Sequence, residues 1–350
     1  EIVALGDPEL GFYRPVAVPC SFVAAPEPAP TLEARVFDAI DALEAGLVER
    51  GETLPPVLHV QDCIAARAAV RLRDAGAPVR VVRTVHHVDD FTTPALVECQ
   101  RRSILDPDRV LVVSRTWQQR LADDYGVRAD VVANGVDVDR LGAEPPAGRR
   151  AELRARVGAG DRFMVLTVGG IEPRKGTDHL FRGLSRLRPF LARRPVLAII
   201  GGHSFQDHRP YRERVIASMA DLDLELGRDV ALLGTVPEEE MAAWYHAADV
   251  FAFPSVNEGF GLAVLEAMAA GLPVVLTALP VFAEYVRFGQ DALAVAPADD
   301  DGLADALATV AHDEVVRAML ISRGRQLAAR FGWDTTARQH IAVYDDLQAG

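Results

Sequence analysis

Residues 254–271 read PSVNEGFGLAVLEAMAAG, and this stretch decides the fold of the second half of the chain. The apolar run that ends at Phe253 predicts a strand, and the glycines after it predict a loop that opens into a helix near Leu262. That helix is apolar almost all round, which is typical of a buried helix. The stretch therefore predicts a strand–loop–helix unit of a doubly wound α/β domain.

Strand-like and helical stretches alternate on both sides of this unit. In the second half, strands are predicted at residues 163–168, 196–200, 230–233, 250–253, 274–276 and 293–295. In the first half, they are predicted at residues 57–60, 79–85, 108–113 and 129–132. Residues 141–148 carry two adjacent prolines and no periodicity, which predicts a linker. The pattern indicates two domains, each with a parallel sheet covered by helices.

Two glutamates in the opening stretch have the chemistry of ligand contacts. Glu266 is the only charged residue of the predicted helix, and a buried carboxylate is costly unless it is paired or hydrogen-bonded. It lies about 6 Å along the axis from the helix start, so a phosphate at that start would place a ribose beside it. Glu258, in the loop, could face hydroxyls on the other side of the phosphates. Alternatively, Glu266 pairs with a buried arginine and Glu258 is a solvated loop acid.

A second glycine-containing loop, residues 168–178, reads VGGIEPRKGTD. It follows a predicted strand and opens a helix, so free backbone N–H groups and two cations, Arg174 and Lys175, could hold an anion there. Lys175 is the only lysine of the sequence. The spacing matches neither a Walker A loop nor Gly-x-Gly-x-x-Gly, and a basic turn at the sheet edge is the alternative.

Length, composition and charge exclude several classes of protein. The 350 residues favour two domains, and the 49% apolar and 25% charged content is that of a globular protein. A net charge of −13 argues against a nucleic-acid binder. The three cysteines form no Cys-x-x-Cys pair, which fits a reducing compartment, and we expect a cytoplasmic protein. No apolar run reaches the length of about 18 residues that a membrane span needs.

These segments resemble the retaining glycosyltransferases of the GT-B fold, specifically family 4. Glu258 and Glu266 form the E-x7-E pattern of that family, within the similar run SVNEGFGLAVLEAMAAGLPVV at residues 255–275. The loop VGGIEPRKG is similar to the family's donor-phosphate loop. The resemblance implies two Rossmann-like, doubly wound domains that face a cleft. It places the acceptor-side domain at residues 1–145 with helix 333–350, and the donor-binding domain at residues 150–332.

The resemblance also implies a reaction. A sugar would pass from a nucleotide-diphosphate sugar to an acceptor hydroxyl with retention of configuration, and no metal or other cofactor would be required. Four residues would take part in catalysis: His86, Arg174, Lys175 and Glu258. The cations would neutralise the diphosphate, and Glu258 would bind hydroxyls of the donor sugar.

Donor binding would involve further residues of the same two loops. Glu266 would bind the ribose, and the backbone N–H groups of residues 260–262 would bind sugar or phosphate. The full set of donor-binding residues that the resemblance implies is Gly169, Gly170, Arg174, Lys175, Glu258, Gly259, Phe260, Gly261, Leu262 and Glu266. Gly170 departs from the family, many members of which have an arginine at this position.

His86 follows a predicted strand in the sequence TVHHVDD, residues 84–90. It resembles the family's strand-end histidine, which contacts the donor sugar or the acceptor, and His87 is the reserve candidate. A metal site formed by both histidines and Asp89 is one alternative, and a polar loop without function is another. His59 and Asp62 also lie at a predicted strand end, where they could line a cleft or serve the structure.

Other functions remain open on the sequence. A nucleotide-sugar epimerase or hydrolase could use the same scaffold, and so could a non-catalytic protein that binds sugar nucleotides. The first strand–loop–helix unit of the family is not recognisable before Val57, and we expect some 25–40 residues to be missing, about one such unit. The acceptor could be a sugar, a lipid-linked group or a small molecule. Peripheral membrane association and the oligomeric state stay undetermined.

Overall fold

The computed structural model describes residues 1–7, 9, 11–12, 16–202 and 208–349, and within them the chain forms two units. Unit 1 comprises Glu1–Ala133 and Thr336–Gly350, and unit 2 comprises Asn134–Thr335. The sequence places residues 134–145 in the first domain, whereas the structure places them in unit 2. Residues 8, 10 and 13–15, part of the N-terminal segment discussed above, lie outside the described residues.

Unit 1 contains two parallel sheets. Its strands are β1 (Ile2–Gly6), β2 (Cys20–Ala24), β3 (Val57–Val60), β4 (Arg80–Val85), β5 (Arg109–Val112) and β6 (Asp130–Val131). Its helices include α1 (Leu32–Arg50), α2 (Cys63–Asp74), α3 (Pro94–Leu105) and α4 (Arg115–Tyr125). β1 pairs with β2, and the order of the other sheet is β3-β4-β5-β6. Apolar side chains of α1, α2 and α3 pack together in one core cluster.

Unit 2 is built on one parallel sheet. Its strands are β7 (Met164–Val168), β8 (Val196–Ile200), β9 (Val230–Gly234), β10 (Val250–Phe253), β11 (Val274–Thr277) and β12 (Leu293–Val295). Its helices are α5 (Val138–Gly142), α6 (Arg149–Arg156), α7 (Thr177–Leu187), α8 (Arg209–Ala217), α9 (Glu238–Ala247), α10 (Leu262–Ala269), α11 (Pro280–Ala283), α12 (Asp300–His312) and α13 (Glu314–Ala328). Short 3₁₀ turns occur at Gly51–Thr53 in unit 1 and at Pro173–Lys175 and Arg188–Phe190 in unit 2.

The strand order of unit 2 determines where a ligand is expected. The order is β12-β11-β10-β7-β8-β9, so the chain winds outward from β7 in one direction and from β10 in the other. β7 and β10 are neighbours, with Val165 opposite Val250. In open α/β sheets, ligands bind at the carboxyl ends of the strands where the winding direction switches. The loops after β7 and β10 are the two that the sequence singles out.

The earlier domain boundary follows from the packing of α5. The Arg140 guanidinium donates to the Glu238 carboxylate at 2.7 Å, and a ring nitrogen of His246 lies 2.9 Å from the carbonyl oxygen of Leu141. Both partners lie on α9. The sequence pattern suggests a linker at residues 141–148, but its first two residues complete a short helix that belongs to the core of unit 2.

The last helix, α14 (Trp333–Ala349), runs from unit 2 into unit 1 along the chain. From Thr336 onward it packs on the sheet of unit 1, where its Val343, Tyr344 and Leu347 contact apolar residues of β4 and β5. The Thr336 hydroxyl donates to the Ala133 carbonyl oxygen at 2.9 Å. The first three residues of α14 belong to unit 2, and the rest of the helix belongs to unit 1.

Candidate active site

The loop after β7 is shaped by glycines at both ends. Gly169 has φ of +141° and Gly176 has φ of +64°, values that side chains with a Cβ rarely adopt. A Cβ at Gly176 would overlap the carbonyl oxygen of Pro254, in the loop after β10. The two loops therefore pack backbone against backbone. The amide of Val256 donates to the carbonyl oxygen of Arg174 at 2.8 Å and joins the loops directly.

Gly170 explains the departure from the family pattern. A Cβ built at this position would lie 2.8 Å from the carbonyl oxygen of Gly202, at the end of β8. Because that neighbour is backbone, a side chain at position 170 would require the strand ends to move apart. The cation of this loop is accordingly contributed by Arg174, in the 3₁₀ turn that precedes α7.

The loop after β10 ends at Gly261, a position that accommodates only glycine. Gly261 precedes α10 with φ of +83°, and a Cβ there would overlap the ring of Phe282. The Tyr285 hydroxyl donates to the carbonyl oxygen of Phe260 at 2.6 Å, and the two rings stack with centroids 5.4 Å apart. The backbone at residues 260–262, to which the resemblance assigns N–H contacts, is held on both sides by aromatic side chains.

The charged side chains of the two loops form one cluster. The Lys175 ammonium lies 2.7 Å from Glu258 Oε1, and the Arg174 guanidinium lies 3.4 Å from the same oxygen. Arg174 also bonds Glu172 at 3.1 Å. The Glu258 side chain is only 7% exposed, so it is not the solvated loop acid of the alternative interpretation. The structure thus brings Arg174, Lys175 and Glu258 together at the switch point of the sheet.

Lys175 lies in an environment that disfavours its charge. Burial lowers the pKa of Lys175, and the Glu258 carboxylate opposes that shift. The ammonium also lies over the ring of Phe253, 4.8 Å from its centroid, and the ring's π-face attracts the cation. A desolvated cation held by one carboxylate and one ring interacts strongly with any negative charge brought to it, because the local dielectric constant is low.

Glu266 has a protein partner that the sequence interpretation did not include. It lies on α10 and is half-buried, whereas the pattern predicts full burial. Its Oε2 accepts a hydrogen bond of 2.8 Å from the hydroxyl of Tyr245, on α9. Tyr245 is fully buried, and that burial, with the nearby Glu266 carboxylate, raises the pKa of the phenol well above its usual value. Tyr245 therefore holds one oxygen of the Glu266 carboxylate within the protein, and the binding of a ribose by Glu266 stays a prediction.

His86 lies at the end of β4 in unit 1. Its Nε2 is 2.9 Å from Gln61 Oε1. Burial, with the neighbouring Arg83 and His87, lowers the pKa of His86 to about 4, so the imidazole is neutral at physiological pH. A neutral imidazole can donate from one nitrogen and accept at the other, which suits contact with a hydroxyl.

His59, Asp62 and His87 lie near His86, and each makes its own contacts within the protein. His59 bonds Tyr344 at 2.6 Å and Thr84 at 2.7 Å, and Asp62 caps α2 by accepting from the amide of Ala65. These three hydrogen bonds support the structural interpretation of His59 and Asp62. His87 is exposed, with Nε2 3.5 Å from an Asp89 oxygen. Among the described residues, no group of three or more histidine, cysteine, aspartate or glutamate side chains is arranged to hold a metal ion.

Sequence reasoning missed several supporting residues. Tyr245 and Tyr285 hold Glu266 and the Phe260 backbone, but nothing in the local sequence distinguishes either tyrosine from an aromatic core residue. Arg83 is 5% exposed and lies on β4 between valines that are fully buried. An arginine among β4 residues such as Val81, Val82 and Val85 was the signal that could have revealed it, since charged residues are rarely buried without a partner.

Family models match both halves of the chain. The model described as glycosyl transferases group 1 matches residues 149–327, and the one described as Glycosyltransferase Family 4 matches residues 1–140. The first spans the two loops of unit 2, and the second spans His86.

Three curated proteins illustrate what the chain is similar to. D-inositol 3-phosphate glycosyltransferase of Kribbella flavida is 31% identical over 86% of this chain and 68% of its own length. The enzyme of the same name from a Nocardioides species is 37% identical over 63% of this chain, which spans 49% of that protein. The GDP-mannose-dependent alpha-(1-6)-phosphatidylinositol monomannoside mannosyltransferase of Mycolicibacterium smegmatis is 33% identical over 90% of this chain and 79% of its length.

Solved structures share the fold at low sequence identity. Anabaena HepE, solved with UDP and glucose, has a TM-score of 0.78 at 19% identity and covers 99% of each chain. Sucrose-phosphate synthase from Thermosynechococcus elongatus has a TM-score of 0.76 at 23% identity and covers 94% of this chain and 83% of its own. Both likenesses support two Rossmann-like domains of the GT-B fold.

Proposed function

The chain belongs to the glycosyl transferases group 1 family, and we propose that it moves a sugar from a nucleotide-diphosphate donor to an acceptor hydroxyl. We further propose retention of anomeric configuration and no requirement for a metal. The names of the relatives support the donor class, since one is GDP-mannose-dependent and the HepE structure holds UDP and glucose. The single observation that carries the proposal is the cluster of Arg174, Lys175 and Glu258 where the winding of the sheet switches.

Arg174 and Lys175 bind and stabilise the leaving group. Breaking the bond between the sugar's anomeric carbon and the diphosphate leaves negative charge on the phosphate oxygen. Two cations held in place before the reaction stabilise that charge more in the transition state than in the donor. They supply the neutralisation that a divalent ion supplies in other transferases.

The carboxylates and the strand-end histidine orient the substrates. Glu258 accepts hydrogen bonds from donor-sugar hydroxyls, and Glu266 accepts them from the ribose while Tyr245 holds its other side. The neutral His86 contacts a hydroxyl of the donor sugar or the acceptor. Glycines 169, 170 and 259 give the donor phosphates and sugar room to approach the backbone, and residues 260–262 present their amides.

Front-face attack accounts for retention without a protein nucleophile. The acceptor oxygen bonds to the anomeric carbon on the face that the diphosphate leaves, and the acceptor proton passes to the departing phosphate oxygen. No side chain of the matched motifs is suited to form a covalent intermediate at that carbon. The free cysteines fit a reducing compartment, and we place the reaction in the cytoplasm. Among the described helices, none combines the length and apolar character that crossing a bilayer requires.

A donor panel tests the proposal. UDP- and GDP-sugars are incubated with the full chain, with and without EDTA, and release of the nucleoside diphosphate is measured. We expect one donor class to turn over, with activity unchanged by EDTA and raised by the correct acceptor. NMR of the glycoside formed on the acceptor should show the donor's anomeric configuration. Loss of activity with EDTA and its restoration by a divalent ion would overturn the metal-independent part, and inverted product would overturn retention.

A further inference from the structure

A cavity of about 100 Å³ lies in unit 1 where β3 and β4 end. A single ordered water needs about 10–15 Å³, so the cavity has room for a larger polar group. Its wall includes Gln61, Asp62, Arg83, His86 and His87. The wall therefore combines these polar side chains with apolar surface from residues such as Val85 and Ile104.

Arg83 lines this cavity with unused hydrogen-bond donors. The residue is 5% exposed, and its Nε and Nη1 are buried with no hydrogen-bond partner among the described residues. A guanidinium cannot shed its proton at any ordinary pH, so the charge stays in place. Burial of a charge without a partner is strongly unfavourable, and native proteins rarely keep one without a compensating ligand or ion pair.

The acids near Arg83 do not compensate its charge. Asp62 and Asp89 attract the guanidinium, yet burial outweighs them and lowers the pKa of Arg83. Asp62 is committed to the amide of Ala65, and an Asp89 oxygen lies 3.5 Å from His87. No carboxylate of the described chain forms an ion pair with Arg83 within 4.0 Å.

Two other polar side chains of the wall, Gln100 and Ser103, are hydrogen-bonded within the protein. The Gln100 side chain donates to the carbonyl oxygen of Asp89 and accepts from its amide, at 2.9 and 2.8 Å. The Ser103 hydroxyl donates to the Gln100 carbonyl oxygen at 2.7 Å. Arg83 thus keeps two buried N–H donors, Nε and Nη1, that no described residue accepts, and it lines the same cavity as His86.

We infer that this cavity binds an oxyanion group, a phosphate or a carboxylate, through Arg83. A hydroxyl would accept hydrogen bonds from the guanidinium but leave its charge uncompensated. An oxyanion accepts the same hydrogen bonds and also compensates the charge. Because His86 lines the same cavity and the donor phosphates are assigned to Arg174 and Lys175, the group belongs to the acceptor, and only this last step rests on the proposed function. The inference makes Arg83 a specificity-determining residue for an anionic acceptor.

Binding to the full chain tests the inference directly. Titration calorimetry uses inorganic phosphate, acetate, glycerol 3-phosphate and glycerol, with wild type, Arg83→Met, Arg83→Lys and the control Arg80→Met. Arg80 lies on the same strand but is exposed, so its loss removes an equal charge outside the cavity. We expect saturable binding of phosphate or acetate that weakens about 10- to 100-fold in Arg83→Met and is unchanged in Arg80→Met. Comparing phosphate with its glycerol ester shows whether a free ion or an esterified group fits better.

Two further measurements separate this site from the donor site. Phosphate binding should survive Lys175→Ala, and binding of UDP or GDP should survive Arg83→Met. Arg83→Met should keep or raise the melting temperature without ligand, because an unpaired buried charge is removed. Should that variant not fold, NMR of wild-type His86 replaces it: phosphate should raise the pKa of His86.

The inference is overturned by any of three results: phosphate affinity that is the same in Arg83→Met, loss of phosphate binding in Lys175→Ala alone, or glycerol that binds as tightly as glycerol 3-phosphate. Absence of saturable anion binding to wild type, with no change in the His86 pKa, also overturns it. Failure of UDP and GDP to bind would instead contradict the proposed transferase function and leave the anion result standing.

Discussion

Lys175 and Glu258 show how a pair of side chains can be prepared for a developing charge. Their contact of 2.7 Å fixes the ammonium at the carboxyl end of β7. We expect Lys175→Ala to lower kcat about 10²- to 10³-fold while the donor KM changes less, because the charge on the leaving group grows in the transition state. The matched control is Arg193→Ala, an exposed cation of unit 2. Steady-state kinetics with the active donor measure both, and a raised KM at unchanged kcat would contradict the assigned role.

Glu266 permits a separate test of donor binding. Glu266→Gln keeps an oxygen for the Tyr245 hydroxyl but replaces an acceptor of the ribose hydroxyls with a donor. Charge-assisted hydrogen bonds contribute about 1.5–3 kcal/mol each, so nucleoside diphosphate binding should weaken about 10- to 150-fold. Calorimetric titration measures the affinity, and a melting curve of the same variant should show little change. Unchanged affinity with a lowered melting temperature would remove Glu266 from the site.

Sequence reasoning at the residue scale identified chemical types better than contacts. The spacing of Glu258 and Glu266, and the cations of the other loop, were visible because each motif is local. That Glu258 pairs with Lys175 was not visible, because they are 83 positions apart and only the neighbouring positions of β7 and β10 bring them together. The Tyr245 partner of Glu266 and the unpaired Arg83 depend on tertiary packing in the same way.

At the scale of elements, apolar runs predicted the strands well. The strands predicted at residues 57–60, 196–200, 250–253 and 293–295 have the observed bounds. A short apolar run between turn residues is typical of a buried strand, so its ends are easy to locate. Helix α1 and strand β2 were not identified, and α5 was partly assigned to a linker. A five-residue helix has too little periodicity to be recognised, and its contacts with α9 determine where it belongs.

The loop that precedes α10 permits a test with a matched control. Gly261→Ala should both strain a backbone with φ of +83° and force the new Cβ against Phe282. Gly148→Ala has the same strain, with φ of +84°, but no atom lies within 4 Å of the new Cβ. The control should lose about 1–2 kcal/mol of unfolding free energy, and Gly261→Ala about 1–3 kcal/mol more. Urea unfolding measures both, and equal losses would contradict the close packing at Gly261.

At the scale of the molecule, the two-domain organisation was predictable and its boundary was not. Two series of alternating strands and helices separated by prolines indicate two domains whatever their contacts. The assignment of residues 134–145 to unit 2 depends on Arg140 and Leu141 bonding α9, which no local pattern reveals. The resemblance predicts that the last helix returns to the first domain. In the structure, Val343 and Tyr344 of α14 pack against the sheet of unit 1.

The anchoring of α14 makes stability depend on pH through His59. This histidine bonds Tyr344 of α14 and Thr84 of β4, and burial lowers its pKa to about 4 from the usual value of about 6.5. Its neutral form is thus favoured by the fold, and it contributes no pH dependence above the unfolded pKa. As pH falls from about 6.5 to 4, the unfolded chain takes up the proton first, so the unfolding free energy decreases.

The expected loss between pH 7 and pH 4 is about 1–3 kcal/mol, allowing for the partial exposure of the ring to water. It should level off below the folded pKa, where both states are protonated. His59→Gln should reduce the slope of unfolding free energy against pH in this window, whereas the exposed control His312→Gln should leave it unchanged. Urea unfolding at a series of pH values measures the slope. An identical slope in His59→Gln would mean that other groups, the buried His86 among them, carry the acid sensitivity, and that α14 is not held through a neutral His59.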